Sequence, residues 1–156
     1  MNIIKGILLA LCGAILGAGL WLVVIFIIGG GTGGAIGGVF ASVIGMLIAG
    51  AYKKGSGRAG FIGFLVVVIF VVASVFTAIT IGTATILYRG GMGNNFVESL
   101  DVLLELLDVD SNLQAAFAQD FIISVGIALV LGLITLFGGN KKKGKEDEAI
   151  EENAEQ

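Results

Sequence analysis

The 156-residue chain has no histidine, no proline, a single cysteine and only 13% charged residues. One cysteine cannot form an intramolecular disulfide, and without histidine no cluster of histidine and cysteine ligands can bind a metal ion. The lack of histidine also excludes a serine–histidine pair for proteolysis inside a membrane. Soluble domains carry about 25% charged residues, so this composition argues against a soluble globular protein.

Charge is missing altogether from three long stretches. Residues 6–52, 59–88 and 121–140 contain no Asp, Glu, Lys or Arg. A helix needs about 20 consecutive apolar residues to cross a hydrocarbon core of about 30 Å. The first stretch is long enough for two crossings and the others for one each, which predicts an all-α, polytopic membrane protein. The four predicted transmembrane helices cover residues 6–28, 33–52, 61–88 and 119–138.

The segments between and after these helices complete the predicted organisation. Five of the six residues at 29–34 are glycine, which is typical of a tight turn between two helices. A cleavable signal peptide has an apolar region of about 7–15 residues, whereas the first uncharged stretch continues to Tyr52. We therefore predict one transmembrane domain over residues 1–139 and a disordered, charged cytoplasmic tail over residues 140–156.

Basic residues set the predicted orientation. In a four-helix topology only Arg89 lies on one side of the membrane, and eight of the nine basic residues lie on the other. Because Lys and Arg accumulate on the cytoplasmic side, we expect a multi-pass protein of the cell (inner) membrane with both termini in the cytoplasm. The eight residues are Lys5, Lys53, Lys54, Arg58, Lys141, Lys142, Lys143 and Lys145.

Residues 95–108 have a different character from the crossings. Apolar side chains recur there at helical spacing, and the opposite face is acidic, which predicts an external amphipathic helix in the membrane interface. The acidic face is either simply solvated or a contact for a basic partner or for cations. Ser111 and Gln114 then form the pattern of a capping box for the last helix. The acidic residues are Glu98, Asp101, Glu105 and Asp108.

Small side chains recur every four residues in three of the predicted crossings. Lipid is as apolar as leucine, so membrane helices associate where small residues allow their backbones to approach. We expect these residues to pack the monomer; the alternative is that one row forms an oligomer interface and lines a pore. The predicted packing residues are Gly13, Gly17, Gly30, Gly34, Gly38, Ser42, Gly45, Ala49, Ser124, Ala128 and Gly132.

The first third of the chain also carries a resemblance. It combines Gly13-Ala14-Ile15-Leu16-Gly17-Ala18, then Trp21, a glycine-rich second helix and the basic exit Tyr52-Lys53-Lys54. This combination resembles a helical hairpin of uncharacterised small four-helix integral membrane proteins of Gram-positive bacteria. The resemblance implies a bacterial inner-membrane location and no activity.

Two ligand-binding motifs are incomplete. The glycine run contains G-x-G-x-x-G, but it lies between predicted membrane helices and lacks the acidic residue expected about 20 residues later. Residues 108–112 match the opening of a calcium loop, but Leu113 and Gln119 replace its glycine and glutamate. We therefore expect neither a dinucleotide site nor a calcium site.

The predicted function follows from what the crossings lack. Charged residues inside a membrane usually mark ion pathways or proton relays, and the predicted crossings contain none apart from Asp120 at the start of the last one. We expect no enzymatic activity, no cofactor and no nucleic-acid partner. The expected partners are the lipid bilayer and either another membrane protein or further copies of the chain. The sequence favours an accessory or regulatory subunit of a membrane complex; the alternative is a small homo-oligomeric, holin-like pore-former or transporter.

Overall fold

The computed structural model describes residues 2–28, 34–58 and 60–138, and only the backbone of residues 28 and 34–36. Within these residues all regular secondary structure is α-helical, which confirms the predicted helical class. Of the predicted glycine turn, residues 29–33 lie outside the described residues, as does the predicted tail at 140–156. The helices are α1 (Ile3–Ile28), α2 (Gly34–Ser56), α3 (Phe61–Arg89), α4 (Phe96–Val109) and α5 (Ser111–Phe137).

Three of these helices, α1, α3 and α5, are long and apolar enough to cross a membrane. Many of their apolar side chains point away from the bundle, among them Leu16, Ile69 and Ile122. Outward-facing apolar side chains are favourable in lipid and unfavourable in water. The fold is therefore consistent with a helical membrane protein.

Helix α2 lies at the centre of the bundle and contacts α1, α3 and α5. Its side chains Ile44, Ile48 and Ala49 are completely buried, and they meet Val71 of α3 and Ala128 of α5 in one core. The small residues of α2 allow three neighbours to pack against it, since their backbones can come close.

The bundle has two chemically different ends. At the end where α1 and α3 begin and α2 ends, the described charges are all basic: Lys5, Lys53, Lys54 and Arg58. We call this the basic end. The opposite end, where α3 ends and α5 begins, holds α4, and we call it the acidic end. All described Asp and Glu residues follow Arg89 in the chain and lie on α4, on its connection to α5, or in the first ten residues of α5.

The last helix begins well before its predicted crossing. The apolar stretch predicts entry into the membrane at about residue 119, whereas α5 starts at Ser111. Hydropathy detects where a segment becomes apolar, but a helix begins where its first amides find an acceptor. That acceptor is Asp110, whose side chain accepts hydrogen bonds from the amides of Asn112 at 2.9 Å and Leu113 at 3.2 Å.

Candidate functional site

The contact between α1 and α2 is made at two glycines of the predicted packing set. A Cβ atom at Gly13 would lie 2.8 Å from the carbonyl oxygen of Leu47, and one at Gly17 would lie 3.1 Å from the Cα of Ile44. The first distance is shorter than real Cβ contacts, and the second is tighter than most of them. The two backbones therefore touch directly, in the manner of small-residue contacts in membranes.

The contact between α2 and α5 is closer still. A Cβ atom at Gly45 would overlap the carbonyl oxygen of Ala128, and one at Gly132 would lie 3.0 Å from the carbonyl oxygen of Gly45. Ser124 is buried on the same face of α5. Gly45 is thus enclosed within the monomer and is not available to a second molecule.

The remaining predicted packing residues differ from one another in their burial and contacts. Gly38 faces the Cδ1 atom of Ile127, and Ala49 is fully buried. Ser42 is partly exposed, and its hydroxyl donates to the carbonyl oxygen of Val39 at 2.6 Å. Gly30 lies outside the described residues, and Gly34 is described only as the first backbone position of α2.

Two glycines outside the predicted packing set face away from the bundle. A Cβ atom at Gly19 of α1 or at Gly126 of α5 would have no described atom within 4 Å apart from its own local backbone. Gly126 is exposed, and it is followed by Val130 one turn later on the same surface. These positions are open to lipid or to another helix.

The four acidic residues predicted as a partner or cation contact do not act as one group. Glu98 accepts hydrogen bonds from the backbone amide of Asn94 at 2.8 Å and from its side-chain amide at 3.2 Å, while Asn95 accepts from the amide of Glu98 at 2.9 Å. Glu98 thus completes the cap of α4. The other three, Asp101, Glu105 and Asp108, are exposed on α4.

Nothing in the described part of the chain groups three or more cysteine or acidic side chains closely enough to hold a metal ion. The exposed carboxylates of α4 can attract cations or basic groups through their shared field.

The capping box predicted from Ser111 and Gln114 is wrong. The cap residue is Asp110, one position earlier, and its carboxylate accepts two amide hydrogen bonds of the first turn. A carboxylate at this position also places negative charge beside the positive end of the helix dipole, which a serine hydroxyl does not.

One contact between helix ends is not predicted by the sequence patterns. The Arg89 Nη2 atom donates to the carbonyl oxygen of Phe26 at 2.7 Å, and its guanidinium lies 4.5 Å from the centre of the Phe26 ring. Arg89 thereby satisfies one of the free carbonyl groups at the end of α1. The signal for it was present: Arg89 is the only basic residue that breaks the predicted orientation.

Two polar atoms of the core have no hydrogen-bond partner among the described residues. They are the indole Nε1 of Trp21, whose side chain is completely buried, and the Oγ1 of Thr80. A buried donor without an acceptor costs about 1–3 kcal/mol. Burial of these two atoms is therefore unfavourable for the stability of the bundle.

Comparison of the chain with protein-family models, with curated proteins and with solved structures finds no match.

Proposed function

We propose that this chain is a non-enzymatic integral membrane protein that acts through helix–helix contacts, as an accessory or regulatory subunit of a membrane complex. The observation that carries the proposal is that Gly19 of α1 and Gly126 of α5 face outward, each near exposed apolar side chains of its own helix. In a membrane, a second helix can approach the backbone closely at such positions. The glycines that pack the monomer, such as Gly45, are already enclosed.

The proposal includes four crossings, with α2 as the fourth. Helix α2 carries no acidic residue, and its lysines lie in its last turn. Its glycines make it less apolar than its neighbours, but it packs against α1, α3 and α5, and the large side chains that it leaves exposed, Val39, Met46 and Leu47, are apolar. In this arrangement α4 lies in the outer interface, and the basic end faces the cytoplasm, following the distribution of Lys and Arg.

The test uses two substitutions of the same glycine. Gly126→Leu fills the open position with a bulky side chain, and Gly126→Ala is the matched control with a small one. Because no described atom lies within 4 Å of a Cβ atom there beyond the helix's own backbone, both variants are expected to fold. Chemical cross-linking in native membranes followed by mass spectrometry should recover fewer partner proteins with leucine than with alanine. Equal recovery from both variants would contradict a partner surface at Gly126.

A pore formed by several copies is the second candidate. The observation in its favour is an open groove of about 260 Å³ between α1 and α3, lined by Ala14, Ala18, Ser74 and Thr77 among others. Since the core of the monomer is filled by side chains, a path for solutes would have to run between copies. Native mass spectrometry of the gently extracted protein tests this candidate: a discrete homo-oligomer with solute flux in liposomes supports it, and a monomer with no flux excludes it.

A further inference from the structure

A cavity of about 410 Å³ opens at the basic end of the bundle, between the ends of three helices. Its wall includes Tyr52 and Ser56 from α2, Arg58 from the connection, and residues 60–63 at the start of α3. Its lining also includes the apolar residues Ile3, Phe61 and Ile62; Phe61 and Ile62 are exposed, as is Arg58. The cavity therefore combines the buried polar residues Tyr52 and Ser56 with an exposed edge, whose apolar part, Phe61 and Ile62, we call the apolar rim.

Two glycines hold Tyr52 in this wall. A Cβ atom at Gly63 of α3 would lie 2.6 Å from Cε1 of Tyr52, and one at Gly6 of α1 would lie 3.2 Å from Cε2. The ring is thus clamped between two backbones, and the residue is only 2% exposed. Its hydroxyl makes no hydrogen bond with another described residue, and it is not one of the fully buried polar atoms that lack a partner. Because Tyr52 lines the cavity, a ligand there can accept a hydrogen bond from this hydroxyl.

The start of α3 supplies further unpaired donors to the same cavity. Its N-cap is Gly60, which has no side chain to accept from the first amides, and its first turn contains no acidic residue. The first intrahelical bond of this turn runs from the amide of Phe64 to the carbonyl oxygen of Gly60 at 2.9 Å. The amides of residues 61–63 therefore remain free at the positive end of the helix dipole. Such an end binds anions.

The surrounding charge has the matching sign. The Ser56 hydroxyl donates to the carbonyl oxygen of Arg58 at 3.0 Å and so fixes the backbone that carries this arginine. Lys5, Lys53 and Lys54 lie at the same end, whereas all described acidic residues lie on α4, α5 or their connection. A ligand with phosphate-like negative charge is thus favoured by the field as well as by the donors.

We propose that this cavity binds the phosphate group of an anionic membrane lipid, with the Tyr52 hydroxyl, the first amides of α3 and the Arg58 guanidinium as its donors. The apolar rim distinguishes a lipid from free phosphate, because Phe61 and Ile62 would contact the acyl chains. The inference rests on the proposed membrane location. A different anionic phosphate compound would use the same donors but would gain nothing from the rim.

The first test compares the two tyrosines of the chain. The full-length protein in neutral detergent is titrated with phosphatidylglycerol, and bound lipid is counted by native mass spectrometry. Tyr52→Phe removes one hydroxyl without changing the ring and should weaken lipid binding about tenfold, as expected for a hydrogen bond to a charged group. Tyr88→Phe, at the other end of α3, is the matched control and should bind as the unaltered chain does. Equal affinity of both variants overturns the proposal.

The second test places a negatively charged side chain of the protein itself in the proposed anion site. Gly60→Asp places a carboxylate at the uncapped N-cap, where no described atom obstructs a side chain. This aspartate should occupy the free amides, lower phosphatidylglycerol binding at least tenfold, and leave the unfolding temperature unchanged or raised. Gly60→Asn is the uncharged control and should lower binding less. Lipid binding that is unaffected by Gly60→Asp overturns the proposal, whatever the stability.

A third experiment distinguishes lipid phosphate from free phosphate. It also distinguishes failure of this inference from failure of the proposed function. If inorganic phosphate raises the unfolding temperature as much as phosphatidylglycerol does, and Tyr52→Phe abolishes both effects, the lipid assignment is overturned in favour of free phosphate. If the chain fractionates with membranes but Tyr52→Phe binds lipid normally, only this inference fails. A chain that does not fractionate with membranes overturns the proposed function itself.

Discussion

At the acidic end of the bundle, capping side chains bond to the backbone groups of the helix termini. At the basic end, the helix termini are held by direct contacts between backbones. Asn95 and Asp110 cap α4 and α5, and Arg89 binds the end of α1. At the basic end α3 begins at Gly60 without a side-chain cap. Gly55 meets the backbone of α1 there, where a Cβ atom would lie 2.7 Å from both the Cα of Gly6 and the carbonyl oxygen of Lys5.

This difference separates two ways of stabilising helix ends. Capping side chains bond to some of the free amides and carbonyl groups, so fewer of them remain for a ligand. Close backbone packing brings the helices together but leaves the first amides of α3 free beside the cavity. The acidic end is therefore sensitive to the removal of side chains, and the basic end to their addition.

The largest effect on stability is expected from adding one methyl group at the basic end. Gly55→Ala should lower the free energy of unfolding by about 1–3 kcal/mol, because the added methyl group would meet the backbone of α1 and not the end of a flexible side chain. Gly50→Ala in the same helix is the control, since its Cβ atom would lie 3.9 Å from its nearest described neighbour, Thr135. Thermal unfolding in detergent, followed by the fluorescence of the buried Trp21, measures both. An equal loss of stability from Gly55→Ala and Gly50→Ala would show that backbone contact does not hold the basic end together.

The next effect is expected from removing an arginine at the acidic end. Arg89→Gln should lower the free energy of unfolding by about 1–2 kcal/mol, because it loses the hydrogen bond to Phe26 and the contact with its ring. Arg58→Gln, at the basic end, should have little effect in neutral detergent free of lipid and phosphate. The same fluorescence measurement applies. Equal losses from both arginines would remove the distinction between the two ends.

A smaller effect is expected from uncapping α5. Asp110→Ala should cost about 1 kcal/mol, since two amides of the first turn lose their acceptor. Asp108→Ala, two residues earlier and exposed, is the control and should change stability little. Circular dichroism during thermal unfolding compares them. If Asp108→Ala were the more damaging substitution, the cap would have been assigned to the wrong residue.

The smallest effect is expected on the acidic face of α4. Replacing Asp101, Glu105 and Asp108 together by their amides should raise stability by a few tenths of a kcal/mol, because like charges at these spacings repel. Glu98→Ala should instead lower it, since this residue caps α4. A salt-sensitive partner interaction lost in the triple variant would support the partner role of the acidic face, and none lost would contradict it.

Part of the candidate site could be predicted from the chain alone. The four-residue spacing selected Ser124, Ala128 and Gly132 and left out Gly126; the structure buries the first three and leaves Gly126 exposed. Spacing defines a face of one helix, but it does not say which helix meets that face. The enclosure of Gly45 by Ala128, 83 positions further along the chain, is therefore beyond any local pattern.

The cap of α5 illustrates a second limit. Asp110 and Ser111 are adjacent, and both residue types are good caps. The choice depends on the backbone geometry at the turn from α4, where Asp110 adopts the extended conformation of a cap while Ser111 is already helical. Sequence patterns place such a boundary within a residue or two and no closer.

By itself, the sequence determined the helical class and the apolar segments. The length of an uncharged stretch is a local property, and it decides whether a helix can span the hydrocarbon core. It also determined where charge is found, and so which helix ends are basic and which acidic. Only the tertiary structure decided that Arg89 binds Phe26, that Gly6 and Gly63 clamp Tyr52, and that three helix ends enclose a cavity. Those contacts join residues up to 63 positions apart, and they depend on how each helix is rotated against its neighbours, which no single segment of the chain encodes.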